Sequence, residues 1–85
     1  MSDPSLNGYS MIDCLRHFHH GDYAELMKVT GCSLPQARRF VKTARFALAD
    51  RLGIDPVWPP GHVGVERKEA FKAAFWTWYS DQELV

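Results

Sequence analysis

Between Ser33 and Gly53 the chain repeats one pattern without a break. Ala37, Phe40, Val41, Ala44, Ala47, Leu48 and Leu52 recur at three- and four-residue intervals, which puts them on one face of an α-helix. Ser33 is a good N-cap residue, Pro35 falls in the first turn where its missing N–H has no intrahelical role, and Gly53 supplies a stop. At 1.5 Å per residue, about 18 residues make a helix about 27 Å long. In a chain of 85 residues a rod of that length is the spine, and whatever else folds must pack along it.

The flanks predict more helix. Met11, Ile12, Leu15 and Phe18 fall at helical spacing with Gly21 as a stop, after which Asp22 can N-cap a short second helix carrying Tyr23, Leu26 and Met27 and ending near Thr30-Gly31. "IDPVWPPGHVGV" holds three prolines and two glycines and so interrupts helix, with room for a small hairpin pairing Val57-Trp58 with Val63-Val65. A last helix over residues 66 to 80 follows, with Glu66 and Glu69 near its positive end and Phe71, Ala74, Phe75 and Trp78 along one side. Residues 1 to 8, "MSDPSLNG", lack periodicity and are expected to be a flexible arm. The expectation is an all-α fold: residues 9 to 85 as a single small domain of four to five helices.

Such a domain buries too little surface to be very stable alone, and a partner subunit would help. Two cysteines, Cys14 and Cys32, are too few for a secreted disulfide framework, and the N-terminus lacks the basic-then-apolar layout of a signal peptide. No apolar run approaches the roughly 20 residues a membrane helix needs. A reducing cytoplasm is the expected compartment, without membrane attachment.

The formal net charge of zero conceals a division along the chain. Residues 28 to 51 hold six bases (Lys28, Arg38, Arg39, Lys42, Arg45, Arg51) against Asp50 alone, while acids outnumber bases on both sides of that stretch. On the spine helix Ala37, Phe40, Val41 and Ala44 face inward, which leaves Gln36, Arg38, Arg39, Lys42, Thr43 and Arg45 outside. The bases therefore sit on the N-terminal half of the helix, the part of a recognition helix that enters a DNA major groove.

"ELMKVTGCSLPQARRFV" resembles the helix-turn-helix of small bacterial DNA-binding regulators: a short helix, a turn with Gly31, an N-cap at Ser33, then a helix with Ala37 and Phe40 packed inward. Size and chain order are also similar to small plasmid and phage repressors, including the KorC type of broad-host-range plasmids. The resemblance implies a left-handed conformation at Gly31, and it places Ser33, Gln36, Arg38, Arg39 and Lys42 where the family's helix meets bases and phosphates. Arg pairs bidentately with guanine and Gln with adenine, each good pair discriminating by about 1–3 kcal/mol. Lys28 and Arg45 suit phosphates, which add affinity and salt dependence without selecting sequence. The implied function is a transcriptional repressor that binds a palindromic operator in duplex DNA as a homodimer. The aromatic surplus of the last helix, Phe71, Phe75, Trp76, Trp78 and Tyr79, is the expected dimer interface. The rival reading is a small phage or plasmid protein that inhibits a host protein through the same aromatic helix.

"CLRHFHH" raises zinc through Cys14, His17, His19 and His20, but His19 is expected to point away from His17 and His20, and no second Cys/His pair follows at finger spacing. No metal, cofactor or small-molecule ligand is expected. Without a nucleophile–base pair, a phosphate-cradling glycine motif or a carboxylate pair, neither is enzymatic activity.

Overall fold

A computed structural model of the chain describes residues 3–83; Met1 and Ser2 of the expected arm, and Leu84 and Val85 at the end of the expected domain, lie outside them. The described residues form a short hairpin, β1 (Ser5–Leu6) and β2 (Tyr9–Ser10), followed by three helices, α1 (Met11–Thr30), α2 (Leu34–Leu52) and α3 (His62–Glu83).

The hairpin takes up residues 5–8 of the expected arm. Asn7 and Gly8 both take positive φ, 49° and 86°, as a two-residue hairpin turn requires, and this sets the antiparallel register Ser5↔Ser10 and Leu6↔Tyr9. Leu6 packs on the core, and the Asn7 side-chain amide donates to the Thr30 carbonyl at 2.9 Å. The hairpin is thereby fastened to the end of α1.

Ser10 caps α1 by accepting from the Asp13 N–H at 3.2 Å. Two helices were expected here. The helical path does break where expected, at Gly21 (φ −141°, ψ 17°) and Asp22 (φ 56°, ψ −150°), but helix resumes at once, so the two halves form one kinked element with no loop between. This accounts for three helices rather than four to five. A Cβ at Gly21 would collide with the Glu25 side chain. Asp22 does not cap: its carboxylate accepts from Lys72 at 2.7 Å and Lys68 at 3.3 Å, so α3 holds the kink. That anchorage matters because φ 56° with ψ −150° is a conformation glycine adopts far more readily than aspartate.

The spine helix lies where the sequence puts it. Ser33 and Gln36 form a reciprocal capping box, Pro35 sits in the first turn, and Gly53 closes the helix at φ 66° with its N–H on the Ala49 carbonyl. Of the expected inward stripe only Ala47 is exposed. Gly31 takes the left-handed conformation, φ 75°, its N–H on the Met27 carbonyl at 2.8 Å.

No hairpin forms beyond α2. Residues 54–61 are an extended connection, and Val63 and Val65 already belong to α3, which begins at His62. Two contacts fix this start. Arg67 reaches back to the Val57 carbonyl (2.6 Å) and the Asp55 carboxylate (3.1 Å), and Gly64 lies so close to Pro59 that a Cβ would collide with its carbonyl oxygen.

The core is built from Met11, Cys14, Leu15, Phe18 and Leu26 of α1, Ala37, Phe40, Val41, Ala44 and Leu48 of α2, and Phe71 and Phe75 of α3, with Cys32 from the turn. Phe18 is its centre, its ring 5.1 Å from Tyr23 and 6.4 Å from both Trp58 and Phe71. Phe71 and Phe75 are each 1% exposed and so are core residues, not a dimer interface. The hydrophobic faces of α1 and α2 leave the core open on one side, and these two rings close it.

Candidate nucleic-acid interface

The end of α1, the turn Gly31–Ser33 and the first half of α2 present one continuous outer surface. Lys28, Gly31, Ser33, Pro35, Gln36, Arg38, Arg39, Lys42 and Thr43 are all exposed on it. The α2 stripe dictates this: once Ala37, Phe40, Val41 and Ala44 are buried, the helical repeat turns Arg38, Arg39 and Lys42 outward.

The electrostatics of this surface differ from the rest of the chain. Four of the ten lysines and arginines are neutralised: Arg16 by Asp13, Arg67 by Asp55, Lys68 by Asp22, and Lys72 by Asp22 and Glu69. Lys28, Arg38, Arg39, Lys42 and Arg51 have no carboxylate within 4.0 Å among the described residues. All five lie on α2 or on the last turn of α1.

The remaining cation, Arg45, was expected outside beside Lys42 and is instead 9% exposed. Its Nε donates to the Pro56 carbonyl at 2.6 Å, and its guanidinium lies 3.9 Å from the Trp58 ring centroid. Burial pulls its pKa below the ordinary arginine value, opposed by Tyr23, whose own pKa is raised by burial against the pull of Arg45 and Arg38. Arg45 binds the proline-rich connection to α2 and is not placed to meet phosphate. The connection folds back over it, which periodicity along α2 alone does not reveal.

Ser33 caps α2 as its place in the sequence predicts, and Gln36, expected as a DNA contact, shares in that cap. The Ser33 N–H donates to Gln36 Oε1 at 2.8 Å, and the Ser33 hydroxyl accepts from the Gln36 N–H at 3.3 Å. A glutamine that reads adenine uses its oxygen and its nitrogen together, and here the oxygen is engaged in the cap. Gln36 therefore cannot make a bidentate adenine contact while the cap holds. Arg38, Arg39 and Lys42 remain with free guanidinium and ammonium groups.

Two hollows flank the basic row. On one side a shallow groove of about 260 Å³ runs between Gln36, Arg39, Phe40 and Thr43 of α2 and Pro4, Ser5 and Leu6. On the other, Arg38 and Lys68 share a cleft of about 580 Å³ with Tyr23, Trp58 and Pro60. One residue on this surface went unremarked in the sequence. Phe46 is 49% exposed, four residues after Lys42 and seven after Arg39 on the same side of the helix. Its signal was present, since it is the aromatic of α2 that falls off the apolar stripe.

The aromatic end of α3 is largely occupied by its own chain. Trp76 stacks on His19 at 4.7 Å and meets His20 edge-on at 5.1 Å, Tyr79 stacks on Phe75 at 5.9 Å with Arg16 above it, and Trp78 tilts against Phe75. Trp78 also lines a groove with Arg51, Leu52, Ala73, Ala74, Thr77 and Asp81. His19 does not point away from His20 as expected: the two rings are 5.1 Å apart around Trp76, and His19 Nδ1 donates to the Lys72 carbonyl at 2.9 Å. His17 instead faces Glu25 at 3.6 Å. Among the described residues no three His, Cys, Asp or Glu side chains converge in a metal-binding group.

Cys14 and Cys32 are buried free thiols. Burial pushes the Cys14 thiol up to about 11, assisted by Asp13 and Cys32, which removes it from thiolate chemistry at neutral pH. No helix among the described residues is long and apolar enough to cross a membrane. No family model, curated protein or solved structure matches the chain.

Proposed function

We propose that this chain binds duplex DNA sequence-specifically and represses transcription by occupying an operator, in the cytoplasm and as a homodimer. The second half of α1, the turn at Gly31 and α2 act as a helix-turn-helix, with α2 the recognition helix. Arg38 and Arg39 meet base edges at its N-terminal half; Lys28 and Lys42 meet phosphates.

The observation that carries this reading is the division of the cations. A surface that needed charge only for solubility would interleave acids with bases, because like charges three or four residues apart on a helix repel by a few tenths of a kcal/mol. Here that repulsion persists across Arg38, Arg39 and Lys42, while every cation facing α1 or the connection from α3 finds a carboxylate. A polyanion supplies what the row lacks. The left-handed Gly31 and the capped start of α2 support the motif. The rival reading, capture of a host protein by the aromatic helix, loses two of its anchors to the core, since Phe71 and Phe75 are 1% exposed.

A palindromic operator calls for two copies. The surface for the second copy is the groove around Trp78, bordered by the exposed Ala73 and Thr77. Ala73→Arg should give a folded monomer with much weaker operator affinity, since the second half-site is no longer tethered to the first; sedimentation decides it, and an intact dimer would move the interface elsewhere.

The direct test is selection of bound sequences from a random duplex pool, followed by mobility shifts across salt concentrations. Recovery of a palindrome, with affinity falling steeply as salt rises, supports the reading. A protein that retains no duplex at low salt excludes it.

A further inference from the structure

Phe46 has no structural occupation that explains an aromatic ring at its position. It stands outside the core cluster at 49% exposure, and the Arg45 guanidinium lies 6.0 Å from its ring centroid. Seven residues is close to two full helical turns, so Arg39, Lys42 and Phe46 form a single row along the outer face of α2. Asp50, one turn further on, is the acid that ends the basic stretch.

We propose that Phe46 is a base-reading residue, its ring resting on the 5-methyl group of a thymine in the major groove; this rests on the DNA-binding reading of α2. A convex helix face flanked by unneutralised cations suits the major groove better than a single strand, whose binders use a groove that follows the backbone. Within the major groove the thymine methyl is the one apolar feature that base edges present. An exposed phenyl ring in that groove has one partner that does not force it to desolvate a hydrogen-bonding group. Spacing makes the inference specific. From Arg39 to Phe46 the helix rises about 10.5 Å, which is about three base-pair steps of 3.4 Å, so the thymine lies about three base pairs from the base that Arg39 contacts.

The test begins with the duplex recovered by selection. Each thymine in it is replaced in turn by uracil, which removes one methyl group and leaves pairing and backbone unchanged. Wild-type protein should lose about fourfold in affinity at one position, the value of one methyl group taken out of water, and nothing at the others. Phe46→Ala should bind the thymine and uracil duplexes alike while Phe46→Leu retains part of the preference, with helicity and melting temperature unchanged in both. Two results overturn the inference while leaving the DNA reading in place: indifference of the wild type to every methyl group, or a Phe46→Ala variant that keeps the preference. Failure of the selection to retain any duplex removes the DNA reading and this inference with it.

Discussion

The basic face of α2 and the seam between α1 and α3 carry the same kinds of cation and treat them in opposite ways. In the seam, Asp22 takes hydrogen bonds from both Lys68 and Lys72 at a position where the backbone is strained. Burial opposes ionisation of Asp22, yet the Lys72 hydrogen bond and the two lysine charges outweigh it and hold the carboxyl below the usual range. Burial likewise disfavours the Lys72 charge, and Asp22 more than restores it. On α2, Arg38, Arg39 and Lys42 have no such partner among the described residues. The seam uses its charges to hold the fold, while the α2 face leaves its charges unneutralised among the described residues. Net charge, which sums the two, carries no trace of the distinction.

The largest blow to the comparison is Phe71→Ala. Truncating a buried phenylalanine costs about 3–5 kcal/mol, a large part of the 5–15 kcal/mol by which domains are typically stable, and urea denaturation should find the variant barely folded. Loss of DNA binding would accompany it, because the α2 face depends on the core beneath. Arg39→Ala separates the two regions: affinity for the selected duplex should fall about 10- to 100-fold, the cost of one good base contact, with an unchanged melting temperature. Full affinity in that variant would show that the row is not the recognition surface.

Asp22→Asn should do the converse. About 1 kcal/mol of stability is lost, the scale of a partly exposed ion pair, and duplex affinity stays. The pH dependence gives the sign. With its folded pKa lowered, Asp22 contributes stability that is present above its ordinary value near 4 and is lost as pH falls through the lowered one. Lys72, with its pKa raised, contributes below its ordinary value near 10.5 and loses that contribution as pH rises through the raised one. Acid titration of stability, followed by circular dichroism, should therefore be shallower in Asp22→Asn. The smallest effect belongs to Lys42→Ala, in which the slope of log affinity against log salt should diminish by about one, with stability changed by less than about 0.5 kcal/mol.

What was legible in the sequence follows the same division. α2 could be read nearly residue by residue because its caps, its stripe and its exposed bases are all local consequences of one helix. The kink at Gly21–Asp22 was visible as a break, but not that helix resumes at once, because Lys68 and Lys72 arrive from more than forty residues away. Asn7-Gly8 was read as a loose segment because strands of two residues are too short to show alternation. Val63 and Val65 suggested a strand; the Arg67 contacts and the close fit of Gly64 on Pro59 override that preference. The same long-range folding turned Arg45 from an expected phosphate contact into a staple, and Phe71 and Phe75 from an expected interface into core.

Phe18 packs against Trp58 and Phe71, which leave the ribosome after α2, Phe71 only with α3. During synthesis the full set of unneutralised cations therefore exists on a chain whose central ring is still open to water and whose kink still lacks its two lysines. On the DNA-binding reading proposed above, such an intermediate would attract nucleic acid without the finished core that steadies the row of Arg39, Lys42 and Phe46, and so would associate without discriminating. On that reading selectivity would become available only when α3 docks, and finishing the fold and gaining the ability to choose a sequence would be a single event in the life of the molecule.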